Sequence, residues 1–444
     1  MKNRRHILIL LLAVLGGQTA ELRAQNGLNM PFSQFGIGVC ELPYTLPTAY
    51  AMGGTVFSRS NPSLVNPFNP ASYAAIGTES FVLDFSMNIQ ITTLLQNNEK
   101  MRDADGNMGS LMLALPIFKW WKMAAGVMPY SLVSYESVNE TLDPLTQCNV
   151  KTRYDGDGGV TQIFWGNGFN IGKRLSVGFN LDYLYGHISR AITYDLTQSD
   201  SVVVQDSRRQ KTTSINNLVF DLGVQYKQPL NEQYTLNMGL TTKLPRQMLV
   251  KDNALAYTFY SQGSSEYLCD TIFPLVGGDG EYYSTLLQPF SVGLGLALER
   301  NDLWEIDLDG YYAPYGGMKY VENSAINLFG KTALTYLPNW RVALGGEWKG
   351  KPDATSYWGR IGLRMGCYYN RARQALLIDN NTYAVNERGV GLGVIFPVRR
   401  GRSVLSLSFS YSAVGRRDVL RRDCFTVGLT LGVNERWFVK RKYN

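Results

Sequence analysis

The chain has 444 residues, a formal net charge of +7, 44 glycines, 27 tyrosines and five cysteines. Its bases are dispersed apart from short clusters at 399–402 and 440–442, which excludes a nucleic-acid-binding stripe. The cysteines lack CxxC or CxxxC spacing, which excludes a zinc site, and no apolar run is long enough for a membrane-spanning helix.

In chain order, Lys2, Arg4 and Arg5 precede an apolar run at 7–17, and Leu22 and Ala24 follow it. That pattern predicts a secretory signal over residues 1–24, because the run is half the ~20 residues a span needs. Residues 25–77 come next. They hold three Asn-Pro pairs, Asn61-Pro62, Asn66-Pro67 and Asn69-Pro70, with apolar residues between them. Proline pushes the preceding residue out of the helical region, so this stretch is neither a regular helix nor a central strand. It is also too apolar for a solvated linker.

From residue 78 the pattern changes to period two. Leu175, Val177, Phe179, Leu181, Tyr183 and Tyr185 alternate with mostly small or polar residues, and so do Leu405, Leu407, Phe409 and Tyr411. Such runs predict strands with one apolar and one polar face. They fall near 79–95, 109–119, 122–137, 159–171, 174–196, 211–228, 233–250, 285–299, 302–314, 337–349, 357–371, 387–398, 403–414 and 423–437. Tight links at 172–173, 228–233 and 300–301 alternate with long ones at 138–158, 251–284 and 315–336, as hairpins do when the two ends of a barrel face different compartments. The polar face is rich in Gly, Ser and Thr, and aromatic residues such as Trp120, Trp121, Tyr226, Tyr234, Trp304, Trp348 and Trp437 gather near strand ends. Both features weigh against a secreted sandwich or propeller. In hydrocarbon every backbone group needs a partner, so a sheet there must close on itself. The expectation is an all-β fold: a transmembrane antiparallel β-barrel of about 14 strands over residues 78–438, with a C-terminal tail at 439–444.

Lipid-facing charge costs about 2–4 kcal/mol near the midplane, so strand charges should point inward. By parity Asp182, Asp221, Glu305, Asp307, Asp309, Arg341, Glu347, Arg360 and Arg364 do so. Asp307, Asp309, Arg341, Arg360 and Arg364 are expected to form a charge network in the lumen, read first as structural. After the signal segment the one remaining histidine, His187, shares the outward phase of Tyr183 and Tyr185, which argues against a hydrolase site. Cys148 and Cys269 both fall in predicted loops, and their pairing stays open. Asp103, Asp105, Asp155 and Asp157 read as solvated loop tips without calcium-loop spacing. Neither a metal nor a cofactor is implied.

The motifs FGIG at 35–38, AMGG at 51–54 and NPASYAAIG at 69–77, placed before such a barrel, resemble the FadL/OmpP1/TodX family of outer-membrane channels for hydrophobic molecules. The closing NERWFVKRKYN is similar to the ends of a Bacteroidetes-type branch of it. The resemblance implies that residues 25–77 fold inward as a hatch, with Asn69, Pro70 and Ala71 matching the hatch motif. It further implies a gap in the wall at the third strand, near Gly126 and Pro129, since proline cannot donate to a ladder. The implied function is passive uptake of hydrophobic, fatty-acid-like molecules in the cell outer membrane, gated by the hatch, with lateral exit through the wall. Implied partners are membrane lipid and lipopolysaccharide, a hydrophobic small molecule, and the barrel-assembly machinery during insertion; no oligomer is implied. The alternative is a barrel of the same kind serving as scaffold or cargo shuttle of a secretion system. A transporter requires an apolar cavity beside the hatch, and a scaffold requires a sealed lumen. The chain departs from barrels that end on an aromatic residue, because Trp437-Phe438 is followed by 439–444.

Overall fold

The computed structural model describes residues 30–34, 36–40, 46–96, 99–142, 149–196, 205–262, 265–272, 281–300, 303–315, 337–351, 354–378, 381–398, 403–417 and 419–436. The predicted signal segment, Trp437-Phe438 and the tail lie outside these residues, as does 316–336.

Fourteen strands close the barrel among the described residues: β1 Ser80–Gln96, β2 Glu99–Pro116, β3 Trp121–Leu142, β4 Asn149–Ile171, β5 Leu175–Leu196 and β6 Asp206–Pro229. β7 comprises Tyr234–Lys243 and Arg246–Gln262, and β8 comprises Glu281–Gln288 and Ser291–Arg300. The rest are β9 Trp304–Ala313, β10 Asn339–Trp348, β11 Gly362–Ile378, β12 Asn381–Val398, β13 Ser403–Arg416 and β14 Leu420–Arg436. Each pairs antiparallel with its neighbours, and β14 returns to β1 from Arg436↔Ser80 to Arg421↔Leu95. β7 and β8 are each broken once, at Pro245 and Pro289, because proline has no N–H to give the ladder.

Outward positions carry Ile89, Leu218, Leu222, Leu240, Leu294, Leu308, Leu344, Leu392 and Leu431, all exposed. In water such a band is a liability; around a closed barrel it is the lipid-facing belt. At the tight-turn end Phe118, Trp120, Trp121 and Phe169 stack with ring centroids about 6 Å apart, and Tyr234 meets Trp304 edge-on, which forms an interfacial girdle.

The long connections differ from the sequence expectation. Much of 138–158 and 251–284 continues as strand, with a further ribbon Ser265–Ile272 beside β7. Asp103 and Asp105 therefore lie in β2, and Asp155 and Asp157 in β4, rather than in loop tips. Beyond the bilayer both faces of a ribbon meet water, so the ladder persists while the apolar alternation fades. Arg153 and Arg208 are paired with Glu136 and Asp155 on these extensions, at 3.8 and 3.3 Å. Cys269 lies in the ribbon, exposed and unbridged, and Cys148 lies outside the described residues.

Candidate functional site

Residues 46–77 lie inside the barrel and form a floor across its lumen. The three Asn-Pro pairs build it by one repeated device. The side-chain oxygens of Asn61, Asn66 and Asn69 accept the N–H two residues on, from Ser63, Phe68 and Ala71 at 2.8, 3.2 and 3.1 Å. Proline removes the donor in between, and the asparagine satisfies the next one. Asn69 caps the 3-10 helix Pro70–Ala75, and its Nδ2 donates to the carbonyls of Phe57 and Val224. Asn69, Pro70 and Ala71 are all buried. The AMGG motif follows the single helical turn Pro47–Tyr50, with Gly53 and Gly54 at φ +65° and +82°, where a side chain would strain the backbone.

Glycines on the inner wall let this floor approach closely. A Cβ on Gly178 would lie 2.5 Å from the Pro70 carbonyl oxygen, one on Gly345 2.7 Å from that of Met52, and one on Gly295 2.6 Å from Ser58 N. Gly239, Gly366 and Gly391 would overlap the backbone of Phe57, Met52 and Tyr50. These glycine contacts run around most of the barrel, so the floor rests on strand backbone. Side chains complete the attachment. Tyr73 Oη donates to Asn180 Oδ1 at 3.0 Å, and Asn180 Nδ2 donates to the Pro67 carbonyl at 2.9 Å. Burial, with the nearby Asp182, pushes the Tyr73 phenol well up, so it remains a donor.

The inward charges clamp the same segment. Asp309 accepts from Val56 N and Phe57 N at 2.6 and 3.0 Å, and Asp307 accepts from Ser58 Oγ at 3.3 Å. Arg341 donates to the Gly54 carbonyl at 3.0 Å. Arg364 pairs with Glu347 at 2.8 Å, and Glu347 also takes Arg59 of the floor, which reaches Asp307 at 3.7 Å. Burial opposes the Arg59 charge, but Glu347, Asp307 and Glu305 outweigh it and hold its guanidinium above the ordinary value. Asp307, Asp309, Arg341 and Arg364 thus meet around the floor. Arg360 does not join them: it sits in the 3-10 turn Trp358–Arg360, over the Tyr357 ring. The strand begins only at Gly362, so its inward–outward alternation does not extend to Arg360. Sequence reasoning also missed Arg59, which lies outside any alternating run.

Outward of the floor is a chamber of about 180 Å³. Val56, Phe57 and Phe68 form its base, Met128, Tyr130 and Tyr311 its walls, and Phe32 and Val39 reach it from the N-terminal side. Polar and charged groups line it too: Asp221, Lys243, Arg341, Arg373, Glu387 and Arg422. The wall changes beside it. The β2–β3 ladder ends at Leu111↔Val127, whereas β3 continues along β4 with a register shift between Pro129 and Ser131. Among the described residues, 102–110 of β2 pair with β1 and with no strand on the β3 side. The two-residue strand Val39–Cys40 pairs with β3 at Leu132 and Ser131. Residues 30–34 and 36–38 form a strap held by Met30 N to the Ser134 carbonyl at 2.6 Å, by Arg190 to the Gln34 and Gly36 carbonyls, and by Arg373 to the Gly38 carbonyl. Gly126 lies in the last paired stretch, where a Cβ would meet the Leu111 carbonyl oxygen at 2.8 Å.

The family model described as BamG matches residues 4–444. Among solved structures, a Pseudomonas aeruginosa FadL homologue is similar with a TM-score of 0.52 at 13% identity, covering 87% of this chain and 96% of that one. The Pseudomonas putida toluene transporter TodX gives 0.52 at 13%, covering 88% and 97%. The Ralstonia pickettii toluene transporter TbuX gives 0.51 at 13%, covering 90% and 98%. These likenesses show the fold, a 14-stranded outer-membrane barrel of the FadL type. No curated protein matches the sequence.

Proposed function

The chain belongs to the BamG family, and we propose that it serves in the outer membrane as a side-opening channel for small hydrophobic molecules. The observation that carries this reading is the chamber's position: it lies on a floor held to the wall by hydrogen bonds and ion pairs, and beside the place where the β2–β3 ladder stops. A molecule entering the chamber leaves sideways into the bilayer, past the strap formed by 30–34 and 36–40, which moves aside as the gating part of the N-terminal hatch. Lateral exit spares an apolar solute the passage through water, which costs ~25 cal/mol per Å² of exposed surface. The chamber's size favours compact ligands over long-chain fatty acids, since a cavity of about 150 Å³ accommodates one benzene ring. The toluene transporters with this fold support the same size class.

Met128 is fully buried, lines the chamber and is the first β3 residue past the end of the β2 ladder. Met128→Trp fills the chamber there. In proteoliposomes, wild-type protein is expected to admit toluene and Met128→Trp to lose most of that uptake; equal rates would sink the reading.

A second reading has its own support. The family's name points to the barrel-assembly machinery, and a floor clamped around most of the wall suits a scaffold subunit beside that machinery. Under that reading, depletion lowers the level of many outer-membrane barrels, and Met128→Trp complements fully.

A further inference from the structure

The chamber's charges are not balanced alike. Lys243 pairs with Asp221 at 3.1 Å and stands over the Tyr130 ring. Arg341 and Arg373 each donate to a floor or strap carbonyl and lie over Phe57 and Tyr315. Glu387 accepts from Tyr368 Oη at 2.8 Å and Asn370 Nδ2 at 3.2 Å. Arg422 differs. It is on the inward phase of β14, it is 8% exposed, it lines the chamber, and its Nε has no hydrogen-bond partner. Among the described residues no carboxylate lies within ion-pair distance of it, whereas its neighbour Arg421 holds Asp423 at 2.7 Å.

A buried guanidinium without a counter-charge is costly, and the fork of N–H donors matches a carboxylate in a planar, two-point fashion. We propose that the chamber is built for a compact apolar molecule bearing one carboxylate, with Arg422 as the group that holds that carboxylate and the Phe57, Phe68, Met128 and Tyr311 side chains receiving the apolar body. This rests on the chamber reading above and names its ligand class. It sets this chain apart from a channel that prefers neutral hydrocarbons, because a neutral ring offers the Arg422 guanidinium no anionic acceptor. It also gives a residue on the closing strand of the barrel a specificity role that no motif in the sequence announced.

The test compares benzoate with its neutral near-isostere toluene, by calorimetry on the detergent-purified full chain at neutral pH. Wild-type protein is expected to bind benzoate at least about tenfold more tightly than toluene, the worth of one charge-assisted pair. Arg422→Gln is expected to lose that preference while its toluene affinity stays within about twofold, which also reports that the variant is folded. Toluene bound as well as or better than benzoate by the wild type overturns the carboxylate assignment and leaves the chamber reading standing. A benzoate preference that survives in a toluene-binding Arg422→Gln overturns the role given to Arg422. Failure of the wild type to bind either ligand overturns the chamber reading and this inference with it. Should Arg422→Gln not fold, the wild-type comparison still decides the ligand class, and Arg422→Lys, which keeps the charge but not the fork, is expected to retain part of the preference.

Discussion

Gly239→Val is expected to destabilise the protein by about 3 kcal/mol, at the upper end of what overpacking costs. The added side chain meets the backbone of Phe57. Phe57 cannot retreat, since its N–H is held by Asp309 and its carbonyl by Asn69 and Gln225. A flexible side chain in the way would rotate aside; a carbonyl held by two donors moves only with the floor. Gly310→Val is the control, because a Cβ there meets no atom within 4 Å and β9 turns that position outward. Heat-induced loss of the compact electrophoretic form should come at distinctly lower temperature for Gly239→Val and at an unchanged one for Gly310→Val. Equal midpoints would mean that the floor does not rest on the wall as described.

Arg59→Ala should have an effect of similar size through charge. Arg59 answers Glu347 and Asp307 from the floor, and all three are largely buried. Removing one partner of a buried ion network costs roughly 3–5 kcal/mol, because the remaining charges are left without compensation. Glu347 retains Arg364, so Asp307 is the group most exposed to the loss. The double variant Arg59→Ala, Asp307→Asn is therefore expected to recover part of the stability. A double variant less stable than the single one would contradict the pairing.

The membrane-depth half of each strand was legible in the residues, because there one face meets lipid and the other a lumen, and the side-chain period records both. The outer half was not. Ribbons such as 138–142 paired with 149–153 are wet beyond the bilayer and keep their ladder without the pattern. The Asn-Pro pairs announced turns, and turns they are. What they could not announce is that Val56 and Phe57 meet Asp309, some 250 residues later, since only closure of the barrel brings those groups together. The wall glycines were visible as abundance. The sharper signal was their recurrence on the inward phase of six strands, as at Gly178, Gly239, Gly295, Gly345, Gly366 and Gly391. Arg422 was beyond sequence reasoning for a different reason: its inward phase can be counted, but its lack of a counter-charge depends on where the carboxylates of other strands fall.

The fixed floor with a lateral way out is tested most directly by locking the floor to the wall. Ser63 Oγ of the floor lies 3.3 Å from Asn434 Nδ2 on β14, so Ser63→Cys with Asn434→Cys brings a floor thiol and a wall thiol within reach of each other. In proteoliposomes the oxidised, locked protein is predicted to take up toluene at the same rate as its reduced form. Uptake that stops on oxidation and returns with reductant would mean that the floor itself must move, and would contradict the account.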